Sequence, residues 1–455
     1  MMRPQVRVLF TLLISILLTG MAAHGQTLLP FVIDASGEVQ ETQTVAEESD
    51  AGMTAAPVAE KGDSQDVAEE GDKGQAPADA EEQGASEEAA PPEPKKPAKP
   101  PLSPEMAAFR DQVRRTLSQV YSRSLSAQNN LPAEVLAFSR AFGHTAEIFS
   151  GGRSNQKINA VGAVCWNYPC GGYKLLRTDG KQIVARVGYG YQERPAQLLA
   201  VLALNRVPDS YELRIGDHRG TIANLIASEK LACRKGLDQS QTLIGLAFYA
   251  AQETTWKNDL GEKWSVERLL AEELNRKVDA SRIDVIDRLM GISYALNRLD
   301  EKKVPTKGLI DRCRNHVEQF QDFTLGLQND DGTWNPGFLA YRGTSKDATG
   351  SLFSTGAVLT WLVYSLPEER LEDERVVRGL AYLNKQLAYG ARRRTATPST
   401  SQDMIGQMNA ARAISLYDVR YFTPRTPEKP VEESEAKETA ATGATAVNRS
   451  VVSRH

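Results

Sequence analysis

Largely apolar positions recur every three or four residues through the middle of the chain. Ile283, Ile286, Leu289, Met290, Ser293 and Leu296 form one stripe, and Ile310, Cys313, Val317, Phe320, Thr324 and Leu327 form the next. This is the period of a helix that turns one face to a core. Residues 198–204, 221–231, 242–251, 266–274, 352–366 and 376–387 carry further helical runs. Several of these are apolar on more than one face, as suits helices packed on both sides. The pattern predicts an all-α domain of paired helices. A short repeat supports the pairing: Ala203, Leu204, Asn205 and Arg206 are echoed by Ala295, Leu296, Asn297 and Arg298, and by Tyr382, Leu383, Asn384 and Lys385. Spacing of about 90 residues suits two helical hairpins of about 45 each, with the repeated residues at helix ends.

One region departs from the helical period. Residues 150–192 are rich in Gly, Tyr and Asn, and the alternating piece at 182–187 is flanked by glycines. A β-hairpin or structured loop is expected there, and ordered excursions of this length often carry function.

The ends of the chain have a different character. Arg3 and Arg7 precede an apolar run and then the small residues Ala23 and Gly25, the order of a secretory signal. The run of about 11 residues is short against the roughly 20 needed to span a bilayer. Between residues 34 and 93 the basic residues are Lys61 and Lys73 amid many acidic ones, and a Pro-rich stretch follows at 91–104. So little apolar area cannot offset ordering entropy, and a disordered tether is expected. The layout is then a signal peptide at 1–25, a tether at 26–103, a folded domain at 104–422 and a polar, disordered tail at 423–455. A secreted or periplasmic location follows, or an N-terminal membrane anchor if the segment stays uncleaved; a membrane contact is expected only in that case. The formal charge of −4 gathers in the tether. Apart from Arg392, Arg393 and Arg394, the folded part has no basic run of the kind that marks a nucleic-acid partner, and none is expected.

A local motif at 325–334 (LGLQNDDGTW) refines the fold. An apolar helix end leads through Gln328 into an acidic Gly turn and back to Trp334. Gly332 can take positive φ, Asn329 and Asp330 can bond nearby amides, and Trp334 can bury its ring on the preceding helix. The run resembles the Gln–Asp-Gly–Trp repeat of the squalene-cyclase and prenyltransferase superfamily. That resemblance implies an α/α toroid with a β-hairpin or loop excursion. Residues 355–383 look like the next helix pair, and 249–264, with Gln252, Gly261 and Trp264, like a looser copy.

The chemistry associated with that superfamily does not carry over. No Asp-x-Asp-Asp acid is present; Asp284 and Asp287 have the wrong spacing and read as a polar helix face. Of the zinc-binding set of the prenyltransferases, Asp311, Cys313 and His316 match in composition alone. Cys170, Gly171, Gly172 and Tyr173 lack the acyl partner of a thioester motif. No metal or other cofactor is implied. The four cysteines, Cys165, Cys170, Cys233 and Cys313, read as disulfide candidates in an oxidising compartment, with three pairings open. A zinc site from Cys165, Cys170 and His144 or His218 is the alternative reading.

What remains is a polar and aromatic set around the excursion: His144, Trp166, Asn167, Tyr168, Tyr189, Tyr191, Gln192, Glu193, Arg194 and His218. Rings to stack on and polar groups to read hydroxyls are what a sugar cleft requires; the same residues can also simply staple the loop to the domain. Asp331 and Trp334 join the ligand-binding candidates from the turn. The expectation is an exported binding or scaffold protein, partnered by a glycan or another exported protein. A carbohydrate-active enzyme, of lyase or glycosidase type, is the alternative.

Overall fold

A computed structural model describes residues 99–123, 125–153, 155–253, 255–302, 308–392 and 400–425, with short strands at β1 (Val32–Ile33) and β2 (Val39–Gln40). The chain divides into two units, Met1–Thr42 with Lys99–His455, and Gln43–Ala98. The second unit, the expected signal segment, Arg393, Arg394 and residues from 426 on lie outside the described residues.

Helices dominate the described residues. In order they are α1 (Pro104–Tyr121), α2 (Pro132–Phe142), α3 (Ala160–Cys165), α4 (Gln197–Leu204), α5 (Ile222–Leu231), α6 (Ser240–Tyr249), α7 (Val266–Asn275), α8 (Asp284–Glu301), α9 (Leu309–Gly326), α10 (Ala348–Ser365), α11 (Glu374–Arg392) and α12 (Ser401–Tyr417). Local chemistry sets many of the ends. Ser103 caps α1 ahead of Pro104. Glu134 reaches back to the Leu131 amide at 3.1 Å to open α2, and Asp347 accepts from the Gly350 amide at 2.9 Å to open α10. Each cap satisfies an amide that the helix start leaves open.

The helices fall into two kinds. α2, α4 and α6 are buried around nearly their whole circumference, whereas α1, α5, α7 and α11 bury one stripe. Packing follows the same division. α2 packs on α4, α4 on α6, α6 on α8, α8 on α10, α10 on α12, and α12 again on α2. The other helices flank this series: α5 lies on α4 and α6, α7 on α6 and α8, α9 on α8, and α11 on α10 and α12. α10 and α12 approach closely at Gly356, where a Cβ would stand 2.7 Å from the Ala410 amide nitrogen. The described helices include none long and apolar enough to cross a membrane.

Short antiparallel hairpins fill several connections. β3 (Glu147–Phe149) pairs with β4 (Lys157–Asn159), β5 (Leu176–Asp179) with β6 (Gln182–Ala185), β7 (Glu212–Ile215) with β8 (His218–Thr221), and β9 (Trp256–Lys257) with β10 (Lys263–Trp264). The strand expected at 182–187 is β6. Two features of the expected organisation are corrected. The excursion holds the helix α3, capped by Asn159 onto the Gly162 amide at 2.7 Å; its six residues are too few to display a period. The tetrapeptide echo also fails as a marker of helix ends: it ends α4, but lies inside both α8 and α11.

The 325–334 turn is a joint between α9, α10 and α11. Gln328 donates to the Gly332 and Arg375 carbonyls at 3.2 and 2.7 Å and accepts from Arg378 at 2.8 Å. Gly332 has φ of +89°, and a Cβ there would meet the Arg378 carbonyl oxygen at 2.7 Å. Trp334 is wholly buried; its amide donates to Thr355 Oγ1 at 3.0 Å. The acid that holds the turn is Asp331, which accepts from the Thr333 amide and hydroxyl at 3.0 and 2.6 Å. Asp330, expected to do this, points to solvent and pairs with Arg342.

Candidate functional site

Among the expected site residues, Arg194 is the one at a convergence of charged groups. It leaves the chain just before α4, where Ala196 takes φ of +58°. Its guanidinium donates to Asp238 at 2.7 Å and Asp284 at 2.5 Å, and Nε pairs with Asp287 at 2.8 Å. Asp238 precedes α6 and also accepts from the Ser240 hydroxyl at 2.8 Å. Asp284 and Asp287 stand in the first turn of α8, where the helix dipole favours negative charge. One guanidinium therefore gathers the starts of α4, α6 and α8.

A second arginine extends the network. Arg276 pairs with Glu273 at 2.8 Å and with Asp238 at 3.2 Å, and buried Glu273 accepts from the Gln239 amide at 2.9 Å. Gln241 of α6 donates to Asp287 at 3.3 Å. Burial pushes Asp287 up to about 6 against the pull of Arg194 and Arg140. Burial also works to raise Asp284, but hydrogen bonding and attraction from Arg194 outweigh it and hold that carboxyl below its ordinary value. Two neighbouring acids thus differ in proton affinity. Arg140 of α2, bonded to Asn409 Oδ1 of α12, senses the charge of Asp287 and Glu193.

The other candidates lie elsewhere. His144 is exposed, and its carbonyl accepts from Asn159 at 2.7 Å. His218 is exposed at the start of β8. Asn167 donates to and accepts from Leu176, tying α3 to β5. Gln192 accepts from the Leu198 amide at 2.9 Å and donates to the Ala185 carbonyl at 3.2 Å. Asn167 therefore braces the excursion internally, and Gln192 ties it to the start of α4. Trp166, Tyr168 and Tyr189 are exposed, with the Arg214 guanidinium 3.9 Å above the Trp166 ring. Tyr191 packs edge-on against Tyr173 at 5.3 Å. The expected constellation therefore separates into an interior charge and outward-facing rings. The exposed Asp331 carboxylate holds the turn, and the Trp334 ring lies in the core.

The cysteine reading is also corrected. Cys165, Cys170, Cys233 and Cys313 are free, buried thiols. Cys165 is enclosed in α3, Cys170 forms a bridge with Tyr173, and Cys233 lies against the Glu229 carbonyl at 3.5 Å. Burial raises all four thiols to about 12, which keeps them unreactive. Cys313 and His316 do not form a metal pair. His316 Nε2 faces the Arg288 guanidinium at 3.3 Å, a donor that occupies the lone pair a metal would need. Arg288 itself donates to the Leu274 and Arg276 carbonyls at 2.7 and 3.0 Å, closing the end of α7. No cluster of metal-ligating side chains occurs among the described residues.

No protein-family model and no curated protein matches the chain. Sequence reading misses Asp238, Arg140 and Asn409, and it takes Asp284 and Asp287 for a polar helix face. A signal is present in Arg140, the one basic residue of the largely apolar α2.

Proposed function

We propose that this chain is an exported, non-catalytic binding protein built as an α/α toroid of the squalene-cyclase/prenyltransferase repeat type. Support for the toroid comes from the cyclic order of helix contacts, in which α2, α4, α6, α8, α10 and α12 would form the inner wall. The turn at Gln328–Trp334 would join successive hairpins of that ring, as the sequence resemblance implies.

The observation that carries the binding reading is the pairing of Arg194 with three carboxylates. An arginine used this way cannot clamp a substrate carboxylate, and its partners are held as counter-ions rather than poised as free acid and base. The ligand face is then the excursion, where Trp166, Tyr168 and Tyr189 are exposed. Exposed rings of this kind suit the apolar faces of sugars, with Arg214 fixing the Trp166 plane. The full chain should bind a glycan without cleaving it, and Trp166→Ala and Tyr168→Ala should abolish retention on a glycan array without lowering the melting temperature. Conversion of a polyprenyl substrate, or array retention unchanged in both variants, rejects this reading.

One observation favours a carbohydrate-active enzyme instead. Asp287 is raised to about 6 beside Asp284, which is lowered, and divergent acids of this kind can divide the roles of proton donor and anion. New reducing ends or unsaturated products from glycans, lost in Asp287→Asn, would select that reading over the first.

A further inference from the structure

Buried guanidinium groups in this fold are compensated in two ways. Arg194 and Arg276 meet carboxylates, while Arg288 and Arg420 donate to backbone carbonyls at the ends of α7 and α10. Arg140 and Arg412 follow neither pattern. Arg140 donates to the amide oxygen of Asn409, and neither arginine has a carboxylate within ion-pair distance among the described residues. An arginine cannot relieve this by losing its proton at neutral pH.

The two sit on helices that pack together, α2 and α12. Asn409 and Arg412, three residues apart on α12, share one face. The charge of Arg140 is felt by Arg412, and burial together with that repulsion lowers Arg412 to about 10. Tyr294 of α8 and Tyr364 of α10, stacked with centroids 5.8 Å apart, also act electrostatically on Arg412. Arg140 in turn feels Asp287 of α8 and Glu193. Asn409 thus brings the Arg140 guanidinium of α2 to the face of α12 that also carries Arg412. Both arginines are half-buried rather than sealed in the core.

We propose that Arg140 and Arg412, assisted by Asn409, form a binding site for a small oxyanion where α2 packs on α12. Two guanidinium forks can share the oxygens of one carboxylate or phosphate. With its oxygen taken by Arg140, Asn409 offers its Nδ2 hydrogens as a further donor. Asp287 and Glu193 limit the total charge that the site accepts, which selects a small ligand over a polyanion. The site is separate from the aromatic face at Trp166 and does not depend on what that face binds.

The test uses the full chain at constant ionic strength, with inorganic phosphate and sodium glucuronate titrated in parallel against a chloride control. Saturable binding of at least one is expected, together with a rise in melting temperature. The tighter of the two assigns the source as phosphate or carboxylate. Arg412→Gln and Arg140→Gln should each weaken binding roughly tenfold or more, while the surface variant Arg314→Gln should leave it unchanged. Phenylglyoxal labelling read by mass spectrometry makes the test independent of variant folding: the bound anion should protect Arg140 and Arg412 and leave Arg314 reactive. Absence of saturable binding by both anions overturns the proposal, as does binding that neither protects these two arginines nor responds to their replacement.

Discussion

Trp334 donates its indole N–H to the carbonyl of Thr324 at 2.8 Å, ten residues back in the last turn of α9. That carbonyl belongs to the helix end, where partners within the helix run out. One side chain therefore fills the core and closes a helix. Trp334→Ala should lower stability by about 3–5 kcal/mol, and Trp334→Phe should recover part of the loss. Urea unfolding followed by circular dichroism reads both; a Trp334→Ala effect near zero would mean that the joint does not stabilise the fold.

Gly332 permits the same turn by its backbone. Its φ is +89°, and the Arg378 carbonyl oxygen lies 2.7 Å from where a Cβ would stand, which leaves no room for one. Gly332→Ala should destabilise by roughly 1–3 kcal/mol, seen as a fall in the denaturation midpoint. Gly172, also at positive φ but with open space around it, should tolerate alanine better, so the difference between the two variants isolates the clash.

Arg194 holds three acids that would otherwise repel one another. Arg194→Met should cost about 3–5 kcal/mol by leaving buried charge unpaired. Adding Asp287→Asn to that variant should restore part of the loss, because it removes one of the stranded carboxylates. A double variant that is simply additive would mean that Asp287 and Arg194 are not coupled.

His316 adds a pH dependence. Burial first, and the Arg288 guanidinium second, hold it down at about 4, whereas an unfolded chain protonates its histidine near 6.5. The folded state is therefore the poorer proton acceptor between these values. The contribution of His316 is fully present above pH 6.5 and is lost as the pH falls toward 4, by about 3 kcal/mol in all. Asp287, raised to about 6, works in the opposite sense, since the folded state keeps its proton to higher pH. The clean measurement is the stability difference between the parent and His316→Gln from pH 7 to pH 4, which should shrink or reverse on acidification.

The buried thiols give a simpler expectation. Ellman's reagent should count four thiols after unfolding and almost none before, and reductant should leave the melting temperature unchanged. A drop in melting temperature on reduction would contradict the free state of these cysteines.

Helices with one buried stripe are the easiest to read. α8 and α9 alternate polar and apolar positions with a clear period; α9 emerges close to the limits of its stripe, whereas α8 runs on past Leu296 to Glu301. α12 escapes sequence reading, although it lies in the series of mutually packed helices. Its interior face carries Asn409 and Arg412 beside small alanines, so the contrast on which periodicity depends is erased where polar groups turn inward. The excursion is legible as non-helical in part, because glycines and alternation mark β6. α3 is hidden there by its shortness.

The chain's own order of residues determined which segments become helices, where several of them are capped, and that Gln328, Gly332 and Trp334 make a joint. Each of these depends on neighbours a few positions away, which is the range over which local propensity acts. Tertiary structure alone decided which charges meet. Arg194 finds Asp238 and Asp284 across separations of 44 and 90 residues, and Arg140 finds Asn409 across 269. No local pattern encodes such a pairing, because it forms only when helix packing brings distant ends together and a buried charge must take whatever partner lies within reach.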